Sequence, residues 1–215
     1  MRQKIGLLLL IILAAEYDSQ VLAEKNLTFP VFREVTVTFL VDKDLFKTGA
    51  SESRMWDELN QILTFMTRQF EKDFGITFIF RGVEEWEFPA GGVDLNADSA
   101  LTEAETQALE NFSDITIGLT RKPLSRYEYD GKKWEYNWKS GMARPLGIAM
   151  VVVLDSAGKL TAVHELGHIF RADHSSDPRS FMHEHVKNPY RFDRESLGVI
   201  RKNREREFLK IISPY

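Results

Sequence analysis

The chain has 215 residues, no cysteine and a formal net charge of −4, with 43% hydrophobic and 28% charged residues. That length supports one domain with a sizeable core, and the lack of cysteine excludes disulfides. So mild a charge gives no footing for nucleic-acid recognition.

The N-terminus opens with Met1-Arg2-Gln3-Lys4 and an apolar run from Ile5 to Ala15. A short basic stretch before a short apolar one reads as a secretory signal peptide. The run falls short of the roughly 20 apolar residues a spanning helix needs. Small residues at Ala15 and Ala23 offer cleavage points, and Val21-Leu22-Ala23 is the better one, giving a signal over 1–23 and a domain over 24–215. That predicts a secreted or periplasmic protein, without membrane insertion once the signal is cleaved; the alternative is an uncleaved membrane anchor. Export without cysteine fits a bacterial protein better than an animal one. No cysteine lies near the apolar run, so a lipoprotein anchor is excluded.

Glu34 to Val41 alternates and is β-branched, so it reads as a strand. Ser53 to Phe74 is a long amphipathic helix ended by Gly75. Ile76 to Phe80 and Val83 to Phe88 read as strand, Leu101 to Phe112 as helix and Ile115 to Leu119 as strand. Before that second helix, Asp94, Asn96, Asp98 and Glu105 stand where an EF-hand-like loop would place oxygens for Ca2+, with Ser99 in place of the usual glycine. The bland alternative is a capping box of Thr102 and Glu105. Arg126 to Trp138 reads as a hairpin around Asp130-Gly131. A two-residue turn would pair Glu128 with Lys133, Tyr127 with Trp134 and Arg126 with Glu135. Such a hairpin either stabilises the domain or forms an aromatic flap beside a cleft. Gly141 to Leu146 follows, with Pro145 tolerable only at a sheet edge. Ile148 to Leu154 is almost continuously apolar, which predicts cover on both faces. A helix over about 160–170 and a C-terminal helix over about 194–210 complete the pattern. The alternation predicts an α/β fold with a mixed sheet.

All five histidines fall between positions 164 and 185, and His164, His168 and His174 form the run H-E-x-x-H-x-x-x-x-x-H with Glu165. Residues four apart lie one turn apart on a helix face, so His164 and His168 can reach one ion. His174 needs the chain to leave the helix after about Phe170 and turn back. Three histidines suit tetrahedral zinc with one position left for water, whose pKa zinc lowers to roughly 7. Glu165, beside the first histidine, can then act as general base. His183 and His185 read as solvated loop residues, or as contacts to substrate or a second metal.

These residues resemble the metzincin zinc endopeptidases, whose pattern is H-E-x-x-H-x-x-G-x-x-H followed by a methionine turn. Met182, read alone as core, would by that resemblance sit in the methionine turn at about 180–182 and support the site without ligating. Its close spacing from His174, and the string Asp173-His174-Ser175-Ser176, resemble matrixins. Ser113 to Thr120, Gly141-Met142-Ala143 and Met150 to Asp155 resemble the strand order of adamalysin-like members. The resemblance implies a twisted mixed five-stranded sheet with an antiparallel edge strand, a long backing helix, a zinc-site helix and a small C-terminal subdomain ending in a helix. It implies a zinc-dependent endopeptidase whose protein or peptide substrate lies extended along the sheet edge at Gly141 to Leu146. Asn188-Pro189-Tyr190 would by analogy wall the pocket after the scissile bond. Matrixin-type cysteine latency is ruled out.

Two positions depart from the pattern. Arg171 stands where the family has a left-handed glycine, at a cost on the order of 1 kcal/mol. Glu184 stands where astacins keep a tyrosine ligand. The rival reading is a weak or inactive zinc-containing binding protein, spoiled at Arg171. The retained Glu165 argues against it.

Overall fold

The computed structural model describes residues 33–46, 51–88, 97–129, 131–185 and 189–208. The anticipated signal peptide therefore lies outside the described residues, as do Asp94, Asn96 and Asn188. Among the described residues, no helix is long and apolar enough to cross a membrane.

Among the described residues, seven strands run in chain order: β1 (Arg33–Asp42), β2 (Ile76–Trp86), β3 (Ile115–Thr120), β4 (Leu124–Tyr129), β5 (Trp134–Lys139), β6 (Gly141–Ala143) and β7 (Ala149–Val153). The α-helices of the described residues are α1 (Ser51–Phe74), α2 (Ala97–Glu110), α3 (Gly158–Ile169) and α4 (Arg194–Asn203). Five strands form one sheet in the order β2-β1-β3-β7-β6, while β4 and β5 pair separately. The pairings β1–β2, β1–β3 and β3–β7 are parallel, and β6 lies antiparallel against β7.

Helices cover both faces of this sheet. In α1, Met55, Leu59, Ile62, Met66, Phe70 and Phe74 recur every three or four residues, so they form one buried stripe. The stripe packs with Val35, Val37, Phe39, Ile117 and Val152 in a core that also takes in α3. Phe70 is its hub, with ring centroids of Phe74, Phe78, Phe170 and Phe192 between 5.1 and 5.6 Å away. On the other face Leu40 and Val151 meet Ala97, Ala100, Leu101 and Ala104 of α2. Burial on both sides explains the nearly continuous apolar run of β7.

Several expectations need correction. The two strands expected over 76–88 are one, β2, with a register shift opposite Val37/Thr38. Helix α2 begins at Ala97, because Ala97 and Ala100 are buried against the sheet and tertiary packing extends the helix upstream. Thr102 and Glu105 are thus interior and form no capping box. Nor does this segment wrap round a calcium ion, since Ala97 to Glu105 is helical rather than looped. Asp98 pairs with Arg126 at 3.3 Å, and Glu105 pairs with Arg144.

The hairpin register also differs. Tyr129 stands opposite Trp134, Tyr127 opposite Tyr136 and Glu128 opposite Glu135. The register follows from a longer connection between Tyr129 and Trp134 than the two-residue turn expected. Lys133 pairs with Glu135 of the following strand at 2.7 Å.

The last helix ends at Asn203, short of the expected 210, and the chain continues non-helically to Phe208. Its start is well marked: Asp193 is the N-cap, accepting from Glu195 N and Ser196 N at 3.0 Å each.

Candidate metal centre

Helix α3 carries the centre. Its N-cap is Ala157, which has no capping side chain; Asp155, two residues earlier, accepts from Ala157 N at 2.8 Å. Thr161, Ala162, Val163, Leu166 and Ile169 are buried, so the helix is gripped on most sides. His164 and His168 share one face, as four-residue spacing requires. The chain leaves the helix at Phe170 and turns sharply, with Arg171 N on His168 O at 2.8 Å and Ala172 N on Gly167 O at 2.9 Å. This brings His174 back to the other two: one nitrogen from each imidazole lies within 4.8 Å of the others. His164 is buried, His168 half-buried and His174 exposed, so the cluster opens to solvent on one side.

Arg171 makes the turn in spite of its side chain, with φ at 72°. The left-handed position is kept, and the strain remains in the backbone. Arg171→Gly should therefore stabilise the chain by about 1 kcal/mol. Urea unfolding of the two proteins measures this; an unchanged or lower midpoint for the glycine variant would refute the strain.

The hydrogen bonds settle the protonation pattern of two rings. His164 Nδ1–H donates to Phe181 O at 2.8 Å, and His168 Nδ1–H donates to Ala172 O at 2.7 Å. Both Nε2 atoms are then lone pairs, and they face each other at 3.1 Å. Two acceptors cannot bond to each other, so the approach is repulsive unless a cation lies between them. Tetrahedral zinc with Zn–N near 2.0–2.1 Å sets its ligand nitrogens about 3.3 Å apart. The donor set therefore fits a metal ion. Burial, and next the charge of His168, push His164 down to about 3, and burial likewise lowers His168. Both rings stay neutral, the form a metal needs.

Glu165 lies on the sheet side of α3, buried beneath β6. Burial pushes its carboxyl up to about 8, while a hydrogen bond from Ala143 N–H and the charge of Lys139 pull it back. The contact is close: a Cβ added to Gly141 would fall 2.5 Å from Thr161 Cγ2 and 2.9 Å from Glu165 Cγ. Only glycine lets the strand lie this near the helix. The register fixes which way β6 presents its backbone. Val153 N donates to Ser140 O, so Met142 also bonds to β7, and the peptide groups of Gly141 and Ala143 point to the other side.

Met182 is fully buried under the helix, where an ideal Cβ on Gly167 would come within 2.2 Å of its Sδ. Its turn is tied at both ends: Met182 N donates to Ser180 Oγ at 3.0 Å, and Ser175 N to Met182 O at 2.8 Å. Ser180 Oγ donates to Asp193 Oδ2 at 2.6 Å, so one carboxylate serves both the α4 N-terminus and the methionine turn. Those hydrogen bonds hold Asp193 well below the usual carboxylate range, against the opposing effect of burial. The Asp193-Arg194-Glu195-Ser196 string signals that cap in the sequence; its second duty to Ser180 is a tertiary fact. His183 and His185 are bonded to each other and stand outside the three-histidine group, with His185 N donating to His183 Nδ1 at 3.1 Å. Tyr190 is exposed beside Arg191.

A mixed α/β fold with a five-stranded, mostly parallel sheet and a three-histidine group is thus what this chain presents. No protein-family model and no curated protein matches its sequence. Solved structures do match its fold. Archaemetzincin (amzA) from Methanopyrus kandleri is similar with a TM-score of 0.60 and 17% identity, over 80% of this chain and 97% of that one. A chain in a structure of a chaperone-substrate complex is similar with a TM-score of 0.58 and 11% identity, over 79% of this chain and 33% of that one. At such identities the likeness concerns the fold alone.

Proposed function

We propose that the chain is an exported zinc-dependent endopeptidase, with His164, His168 and His174 as ligands and Glu165 as general base. The observation that carries this reading is the pair of Nε2 lone pairs facing at 3.1 Å. Zinc held there would polarise a peptide carbonyl and acidify water to a pKa of roughly 7.

The rest is the work of this chain. A cation held by the three histidines would favour the ionised carboxylate of Glu165, which takes the proton of the attacking water as the new C–O bond forms and gives it to the amine nitrogen as the C–N bond breaks. The outward peptide group of Gly141 and the outward carbonyl of Ala143 offer an edge for an extended substrate, bound by strand addition. Ala143 N–H already donates to Glu165, so the base lies within reach of that edge. Met182 supports the floor of the site. The turn spacing that resembles matrixins, and the strand order that resembles adamalysins, support a member near those groups. The basic and apolar segments at residues 1–15 support export. The intact turn at Arg171 favours an enzyme over an inactive binding scaffold.

The test is hydrolysis of casein by the purified chain, with and without a zinc chelator. Cleavage should stop on chelation and return when zinc is restored. A folded, zinc-loaded chain that cuts neither casein nor a library of unfolded peptides would favour the binding-protein reading.

A further inference from the structure

Among the described residues, two non-glycine residues have left-handed backbone, Leu146 at φ 60° and Arg171 at φ 72°. Both direct their N–H to one acceptor, the carbonyl of His168, at 3.4 and 2.8 Å. Two strained turns from distant parts of the chain therefore meet on the backbone of one candidate ligand. One turn follows the edge strand β6. The other delivers Ala172 O, the acceptor that orients the His168 ring at 2.7 Å.

A single side chain holds both turns. Arg206 Nη1 donates to Ile169 O at 2.5 Å and to Gly147 O at 3.1 Å; Nη2 donates to Leu146 O at 2.8 Å and to Gly147 O at 3.1 Å. Its guanidinium sits at the C-terminal end of α3, where carbonyls lack helical partners and the dipole favours a cation. The Phe208 ring lies 4.4 Å from it and packs edge-on against Phe170 at 5.9 Å. The backbone leading to it is anchored in turn, since Arg33 Nη1 donates to Arg204 O at 2.5 Å. Burial, with the nearby charge of Arg33, pushes Arg206 down to about 10, so it remains a cation at neutral pH.

We propose that Arg206 is a positioning residue of the metal centre: by gripping the carbonyls of Leu146, Gly147 and Ile169 it holds the two strained turns that fix His168 and the end of β6. This rests on the metal-centre reading above. Residues 204–208 are then part of the site's scaffold although they touch no reacting atom.

The experiment measures cobalt(II) and zinc(II) binding to the full chain by competition with a chromophoric chelator, together with the visible spectrum of the cobalt form. Arg206→Met, which keeps the stem but removes the donors, should weaken metal binding by about 10- to 100-fold and change the cobalt spectrum. Arg206→Lys should recover only part, because one ammonium does not span three carbonyls as a planar fork does. Adding Leu146→Gly and Arg171→Gly to Arg206→Met should restore affinity toward wild type, since glycine adopts both turns without strain. If Arg206→Met does not fold, the same comparison is made with Arg206→Lys, with and without the two glycines. Melting of the metal-free chains separates positioning from general stability. A lower melting point with unchanged metal affinity and spectrum would overturn the proposal alone. A folded wild type that takes up neither metal would overturn the metal-centre reading, and this proposal with it.

Discussion

Glu165→Gln should keep the fold and the metal and lower peptide hydrolysis by about 10²- to 10⁴-fold, the usual worth of a positioned general base. Glutamine has the same shape, so the packing between α3 and Gly141 survives. Its amide accepts no proton from water. Residual cleavage within tenfold of wild type, on chains matched for zinc content, would remove Glu165 from the mechanism. A second signature belongs to the chelated protein. Burial raises the Glu165 carboxyl from 4.5 to about 8, so between those values the folded chain binds a proton that the unfolded chain has lost. Stability of the chelated wild type should therefore fall as pH rises through that window. The glutamine variant has no such proton, and its melting profile should lose that component. The two signatures are independent, since one reads turnover and the other reads burial.

The three-histidine group is legible because its spacing is local. Four residues along a helix fix a common face whatever the rest of the chain does, so His164 and His168 are placed by sequence alone. His174 needed only a reversal after Phe170. The strand β7 is legible from its nearly unbroken apolar run, which cover on both faces demands, and β1 from its alternating, β-branched residues. Features set by distant contacts are not. Nothing local says that Gly141 must touch Thr161, or that Arg206 reaches back to carbonyls beside residue 146. The hairpin illustrates the limit. Complementary charges beside Asp130-Gly131 suggested one register, and the chain adopts another that sets Tyr127 opposite Tyr136. The start of α2 differs from the expected Leu101 because buried alanines, which carry little periodic signal, extend it upstream to Ala97.

Gly167→Ala is expected to destabilise the chain and loosen the metal, against the sign that helix propensity alone gives. In an open helix the change stabilises by about 0.8–1.0 kcal/mol. At Gly198 of α4 an added Cβ meets nothing within 4 Å, and Gly198→Ala should show that gain. At Gly167 the same methyl would lie 2.2 Å from Met182 Sδ and 2.9 Å from its Cε. Met182 has little room to withdraw, with its backbone bonded to Ser180 and Ser175 and its side chain fully buried. Overpacking of this kind costs about 1–3 kcal/mol, enough to cancel the propensity gain and reverse it. The damage reaches the site because Phe181, the neighbour of Met182, supplies the carbonyl that orients His164. Loss of such an outer contact typically weakens metal binding by about 10- to 100-fold. Urea midpoints and zinc competition on the two glycine variants test this together. Equal stabilisation at both positions would mean that Met182 yields freely, and that the methionine turn is no rigid floor beneath the three histidines.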